Sequence, residues 1–318
     1  MRFGLFAAIT WALDTVILSI ALSCSAFFDT PTAIALASFT STFLHDATSA
    51  IFMFVYMAVR RKLAATARLM KTKYGWFIVL AAVIGAPLGM TGYVMAIDNI
   101  GPAYTAAISS FFPAYGALLS SIFLKERMRG YQWVGLIVCV LGVVALGYTP
   151  AEGIPGDWFM GVGGALVCVF GWGTEAVIIA WGLRAADVDD ENALQIRQTT
   201  SAVTYALVIL PLLGGWPSAA AAFMSDAMPW IALAALFGTV SYLMYYKAIA
   251  RIGAAKSMAL NITYSAWAIP FLAVAAGEPC PDLREVVCAV VIIVGAIAAA
   301  TDFKELFARS AGNDGVAA

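Results

Sequence analysis

Apolar residues fill this chain in long runs, not in the narrow stripes of a soluble helix. A membrane-spanning helix needs about 20 mostly apolar residues. On that ruler the runs fall near 4–25, 32–59, 74–97, 102–124, 131–149, 158–182, 193–213, 229–250, 254–277 and 284–302. Turn-forming clusters separate them: Asp29-Thr30-Pro31, Gly101-Pro102, Gly153-Ile154-Pro155-Gly156, Trp216-Pro217 and Glu278-Pro279-Cys280-Pro281. Only Asp98-Asn99 divides the third run from the fourth, which makes it the weakest boundary. The pattern predicts an all-α membrane protein with ten transmembrane helices. The first run follows Arg2 and resembles a secretory signal, but it carries Trp11 and Asp14 and precedes many further runs. It reads as an uncleaved first helix.

Composition sharpens the class. Hydrophobic residues make up 62% of the chain and charged ones 12%, far more apolar surface than a globular core can bury. The net charge is only −1, so the placement of charge matters more than its sum. Arg60, Arg61, Lys62, Arg68, Lys71 and Lys73 lie between runs two and three. Lys125, Arg127 and Arg129 follow run four, and Arg184 follows run six. Lys247, Arg251 and Lys256 flank the eighth connection, and Lys304 and Arg309 follow run ten. All share the side of the N-terminus. The other side holds Arg284 together with Asp29, Glu152, Asp157, Asp226, Glu278 and Asp282. The positive-inside rule therefore puts both termini in the cytoplasm. A bacterial inner (plasma) membrane is the expected location, with the lipid bilayer as the standing partner.

Several chemistries drop out. The five cysteines form no CxxC pair, and the lone His45 completes no zinc set. No metal, other cofactor or disulfide framework is expected. There is no phosphate-binding Walker motif and no nucleophile–base constellation, so neither an ATP-driven pump nor an enzyme is indicated. Nothing points to a nucleic-acid partner.

The second half restates the first. Aligning Ile100-Gly101 with Ile252-Gly253 also pairs Tyr93 with Tyr245, Ala96-Ile97 with Ala248-Ile249, Tyr115 with Trp267 and Glu126 with Glu278. Five runs per half is an odd number, so the copies must lie in opposite orientations. The expected organisation is two inverted five-helix repeats, 1–149 and 158–302, with a cytoplasmic tail at 303–318. Inverted repeats mark secondary transporters, whose substrate site lies near the midplane between the halves.

At a slightly larger offset, Trp11-Ala-Leu-Asp14-Thr-Val-Ile pairs with Trp172-Gly-Thr-Glu175-Ala-Val-Ile. Helical spacing sets each indole beside its carboxylate. A charge inside a span costs at least about 2.5–3.5 kcal/mol on insertion scales, so both acids should face the bundle interior. Aromatic faces together with a carboxylate suit a cation that has no N–H to donate. The candidate substrate-binding set is Trp11, Asp14, Tyr93, Tyr115, Trp172, Glu175, Tyr242, Tyr245 and Trp267. His45 and Asp46 are candidates for proton relay or gating. Gln195, Arg197 and Gln198 read as an inner gate near the cytoplasmic end, where Arg197 can snorkel. Asp187, Asp189, Asp190 and Glu191 read as a solvated loop. No lysine or arginine is expected at midplane depth.

Ile100-Gly101-Pro102-Ala103-Tyr104-Thr105, continuing through Pro113 to Phe123-Leu124-Lys125-Glu126-Arg127-Met128, resembles the EamA-type transporters of the drug/metabolite transporter superfamily. The second half keeps only Gly253 and Gly277-Glu278 of that pattern. Gly171-Trp172-Gly-Thr-Glu175-Ala-Val, with Gly101-Pro102-Ala-Tyr104-Thr, is most similar to the LicB-type choline importers of bacteria. The resemblance implies alternating-access import of choline or a related quaternary ammonium, driven by protons or by the membrane potential. The rival it leaves open is an EamA-type exporter of amino acids, nucleosides or cationic drugs.

Overall fold

The computed structural model describes residues 1–147, 156–185, 188–275 and 281–302. The expected tail at 303–318, along with Glu152, Asp187 and Glu278-Pro279-Cys280, lies outside them. Among the described residues, ten helices are long and apolar enough to cross a membrane: α1 (Arg2–Leu22), α2 (Pro31–Val59), α3 (Lys73–Gly101), α4 (Tyr104–Leu124), α5 (Gly130–Gly147), α6 (Trp158–Gly182), α7 (Asp190–Leu213), α8 (Ala227–Ile252), α9 (Ala254–Ala275) and α10 (Leu283–Ala300). No strand occurs among the described residues. Two short helices, Leu63–Leu69 and Trp216–Phe223, ride on the connections.

Local chemistry explains where these helices start. Thr30 accepts a hydrogen bond from Ala33 N–H, with Pro31 in the first turn of α2. Asp157 does the same for Met160 at α6, and Asp282 with Glu285 forms a reciprocal capping box at α10. The α3–α4 and α8–α9 joints are breaks rather than loops. Gly101 has φ 77° and ψ 165°, and Gly253 has φ 84° and ψ 168°. That backbone region is essentially closed to any residue with a Cβ. The two glycines that the repeat alignment pairs thus adopt one rare conformation. Pro87 sits in a π-helical turn, Ile84–Leu88, that widens α3.

Helices α1, α8 and α9 pack together, as do α6, α3 and α4. Helix α2 packs on α7 and α8, α7 also packs on α3, and α5 packs on α10. Close approach of α3 and α6 depends on Gly92 and Gly164, where an added Cβ would stand 2.5–2.6 Å from the opposite backbone carbonyl. Outward faces are apolar, as lipid contact requires: Val59, Phe123, Leu207 and Leu212 are 70% or more exposed. Polar side chains turn inward instead.

The acidic segment before the seventh run differs from expectation. Asp190 and Glu191 are the first turn of α7, and Glu191 is 3% exposed rather than solvated. Its carboxylate accepts from Tyr56 Oη at 2.8 Å and Lys62 Nζ at 2.7 Å, with Lys247 Nζ at 3.6 Å and Arg60 at 3.8 Å. Lys62 also donates to Asp189 at 2.7 Å. Paired in this way, Glu191 needs no water, and the helix begins earlier than its apolar run.

Candidate functional site

The inward polar residues meet at a cavity of about 390 Å³, within the roughly 300–1,000 Å³ typical of small-ligand sites. Trp11, Asp14, Tyr93, Trp172, Glu175, Tyr242 and Tyr245 all line it, with His45 and Asp46. Tyr115 and Trp267 do not. Tyr115 packs edge-on to Phe170 at 4.9 Å and its hydroxyl lies 3.4 Å from Thr174 Oγ1. Trp267 sits on α9 away from the lining, its indole N–H without a hydrogen-bond partner among the described residues. Sequence pairing alone cannot tell which face of a helix is turned inward, so it included both.

Two aromatic groups face the cavity, one around each repeated tryptophan. The Trp11 ring meets Tyr242 at 4.9 Å and Tyr264 at 6.3 Å, both edge-to-face. The Trp172 ring meets Tyr93 at 5.7 Å and Phe112 at 5.6 Å. Such pairs fix ring planes and so fix which faces remain for a ligand. Glu175, 8% exposed, lies against α3, where Gly85 makes room for it. A Cβ on Gly85 would collide with the Glu175 carboxylate.

Asp14 and Asp46 are joined through His45. Its Nε2 lies 3.1 Å from Asp14 Oδ1 and its Nδ1 lies 3.0 Å from Asp46 Oδ1. Both ring nitrogens face carboxylate acceptors, so each needs a proton on itself or on the facing carboxyl. Ser201 donates to the other Asp46 oxygen.

Arg197 corrects the sequence reading. It is 4% exposed and lines the cavity, not a cytoplasmic rim. Nε donates to Glu175 Oε1 at 2.9 Å, Nη1 to Gln198 Oε1 at 2.7 Å and Nη2 to Tyr242 Oη at 2.8 Å. The guanidinium carbon stands 4.4 Å from the Tyr242 ring centroid. Because α7 starts at Asp190, residue 197 is two turns in, at the level of Glu175. The expectation that no arginine reaches this depth therefore fails. The available signal was an arginine four residues past the start of an apolar run, with acids on other runs to pair with it. Asn261 and Tyr246 were also not counted among the site residues. Both line the cavity, and Asn261 Oδ1 and Tyr246 Oη have no hydrogen-bond partner among the described residues.

Thr15 and Ser19 of α1 are exposed where the lining reaches the C-terminal end of that helix. Ile179, Tyr246 and Ile249 are buried at the opposite end, and the Glu191 ion-pair cluster lies beyond them. The lining is thus exposed at its Thr15–Ser19 end and buried at the other.

A family model described as the EamA-like transporter family matches residues 1–148 and again 159–301. The protein LicB of Haemophilus influenzae is 29% identical over 197 residues, covering 61% of this chain and 65% of that protein, so the match spans just under two thirds of the relative's length. A solved crystal structure superposes with a TM-score of 0.72 over 94% of this chain and 96% of its own, at 18% identity, a likeness of fold alone. The chain belongs to the EamA-like transporter family and is a multi-pass membrane protein.

Proposed function

We propose that this EamA-family transporter imports choline or a related quaternary ammonium compound across a bacterial plasma membrane, by alternating access between two inverted five-helix halves. The carrying observation is the charge and surface of one cavity. Three carboxylates, Asp14, Asp46 and Glu175, face it with Arg197 and His45. With both ring nitrogens of His45 protonated, the lining is left with a single negative charge. Aromatic rings cover much of the rest. A monovalent cation with a methylated, donor-free head neutralises that charge and lays its apolar shell on the rings, each worth about 0.5–2 kcal/mol when desolvated. The motif resemblance to LicB-type choline importers supports the same class.

In this reading Glu175 is the counter-ion, and Trp11, Tyr93, Trp172, Tyr242 and Tyr245 form the cage. The Asp14–His45–Asp46 chain is the place for a coupling proton. Tyr115 and Trp267 support the cage helices from outside the cavity. The distribution of lysine and arginine puts both termini in the cytoplasm, and the cavity then opens outward with the Glu191 cluster closing the inner end. The repeat reading draws support from the shared backbone of Gly101 and Gly253 and from the matching trios α1, α8, α9 and α6, α3, α4. A cation moving inward gains about 2.3 kcal/mol per 100 mV of membrane potential.

The test is uptake of radiolabelled choline into proteoliposomes, with betaine, carnitine and arginine as competitors. Saturable choline uptake that betaine inhibits better than arginine is the expected result. Choline that neither enters nor competes, beside an amino acid that does, overturns the substrate assignment.

A further inference from the structure

We infer that Arg197 is a tethered competitor of the transported cation, holding Glu175 and the Tyr242 ring when the site is empty and yielding them when substrate binds. The inference rests on the cation-import reading above. A quaternary ammonium in this cavity would use a carboxylate and an aromatic face. Arg197 occupies one of each: its Nε lies on Glu175 at 2.9 Å and its guanidinium covers one face of Tyr242 at 4.4 Å.

The guanidinium also has somewhere to go. Its Nη1 lies 3.7 Å from Asp46 Oδ2, and Asp46 lines the same cavity. A small swing toward Asp46 frees Glu175 without stranding either charge in a buried setting, where an unpaired ion is strongly disfavoured. On the far side of the cycle the reverse swing restores the Arg197–Glu175 pair and expels the cation. The exchange keeps the number of buried charge pairs nearly constant through loading and release. It also makes the apparent affinity weaker than the intrinsic one, by the fraction of molecules in which Glu175 is free.

A residue that merely orients Glu175 would behave oppositely, since losing it would weaken binding. Calorimetry of detergent-purified protein with choline, paired with choline uptake by the same variants in proteoliposomes, separates the two. If about one molecule in ten has Glu175 free, Arg197→Gln lowers the choline Kd about tenfold, while maximal uptake falls because release loses its driver. Tyr242→Phe deletes one hydroxyl bond to Arg197 yet keeps the ring, and should lower Kd about two- to threefold. The Tyr242→Phe result decides the matter if Arg197→Gln does not fold. An unchanged or raised Kd in the folded variants overturns the competitor role while leaving choline import standing. Absence of choline binding by the unmodified protein removes both.

Discussion

At the residue scale, the site depends as much on what is missing as on what is present. Gly85 leaves the space that the Glu175 carboxylate fills. Overpacking a tight interior typically costs about 1–3 kcal/mol, so Gly85→Ala should push the carboxylate off its position and weaken choline binding roughly 10–100-fold. Gly130→Ala, where an added Cβ meets nothing within 4 Å, should leave binding unchanged. Equal effects from the two would mean that Glu175 position is immaterial to binding. The tryptophans and acids of this site were legible in the sequence because a charge beside an indole inside an apolar run is costly and occurred twice. Arg197 was misplaced because its run seemed to begin at 193. The acids before it looked solvated, and only the fold brings Lys62, Tyr56 and Lys247 to them.

At the element scale, the ten helices were readable from apolar run length, whereas the divide expected at Asp98-Asn99 is helical and the chain breaks instead at Gly101, as it does at Gly253. What linear sequence does not encode is the rotation of each helix about its axis. That rotation takes Tyr115 and Trp267 out of the lining and brings Asn261 into it. The connections carry their own electrostatics. Burial opposes ionisation of both Lys62 and Asp189, but their mutual hydrogen bond, the bonds each makes with Glu191 and the attraction of opposite charges together outweigh it, raising Lys62 above the ordinary lysine value and lowering Asp189 below the ordinary carboxylate value. A lowered acid contributes stability that is complete above its unfolded value of about 4 and is lost as pH falls through the folded one. A raised lysine contributes fully below its unfolded value of about 10.4 and loses that as pH rises past the folded one. Lys62→Met should therefore lower the thermal midpoint by about 2–4 °C between about pH 5 and 9. The difference should shrink in acid, where Asp189 is protonated in both proteins. A pH-independent difference would show that Lys62 acts through packing.

At the scale of the whole molecule, the lipid-facing surface is apolar, and two charged groups bear on the site: the cavity lining, and the ion-pair cluster at the α2–α7 end. In the proposed function the first receives a cation from one end, and the second holds the other end shut. The proposed function requires the cavity to recognise positive charge inside an aromatic cage, not merely a compact apolar head. Choline and 3,3-dimethylbutan-1-ol share shape and hydroxyl but differ in that one charge. Calorimetric titration of the purified protein with each is the most direct test. Loss of both the cation–aromatic and the carboxylate interactions should leave the uncharged alcohol at least about 100-fold weaker than choline. Binding of the two within a few-fold of each other would contradict the account.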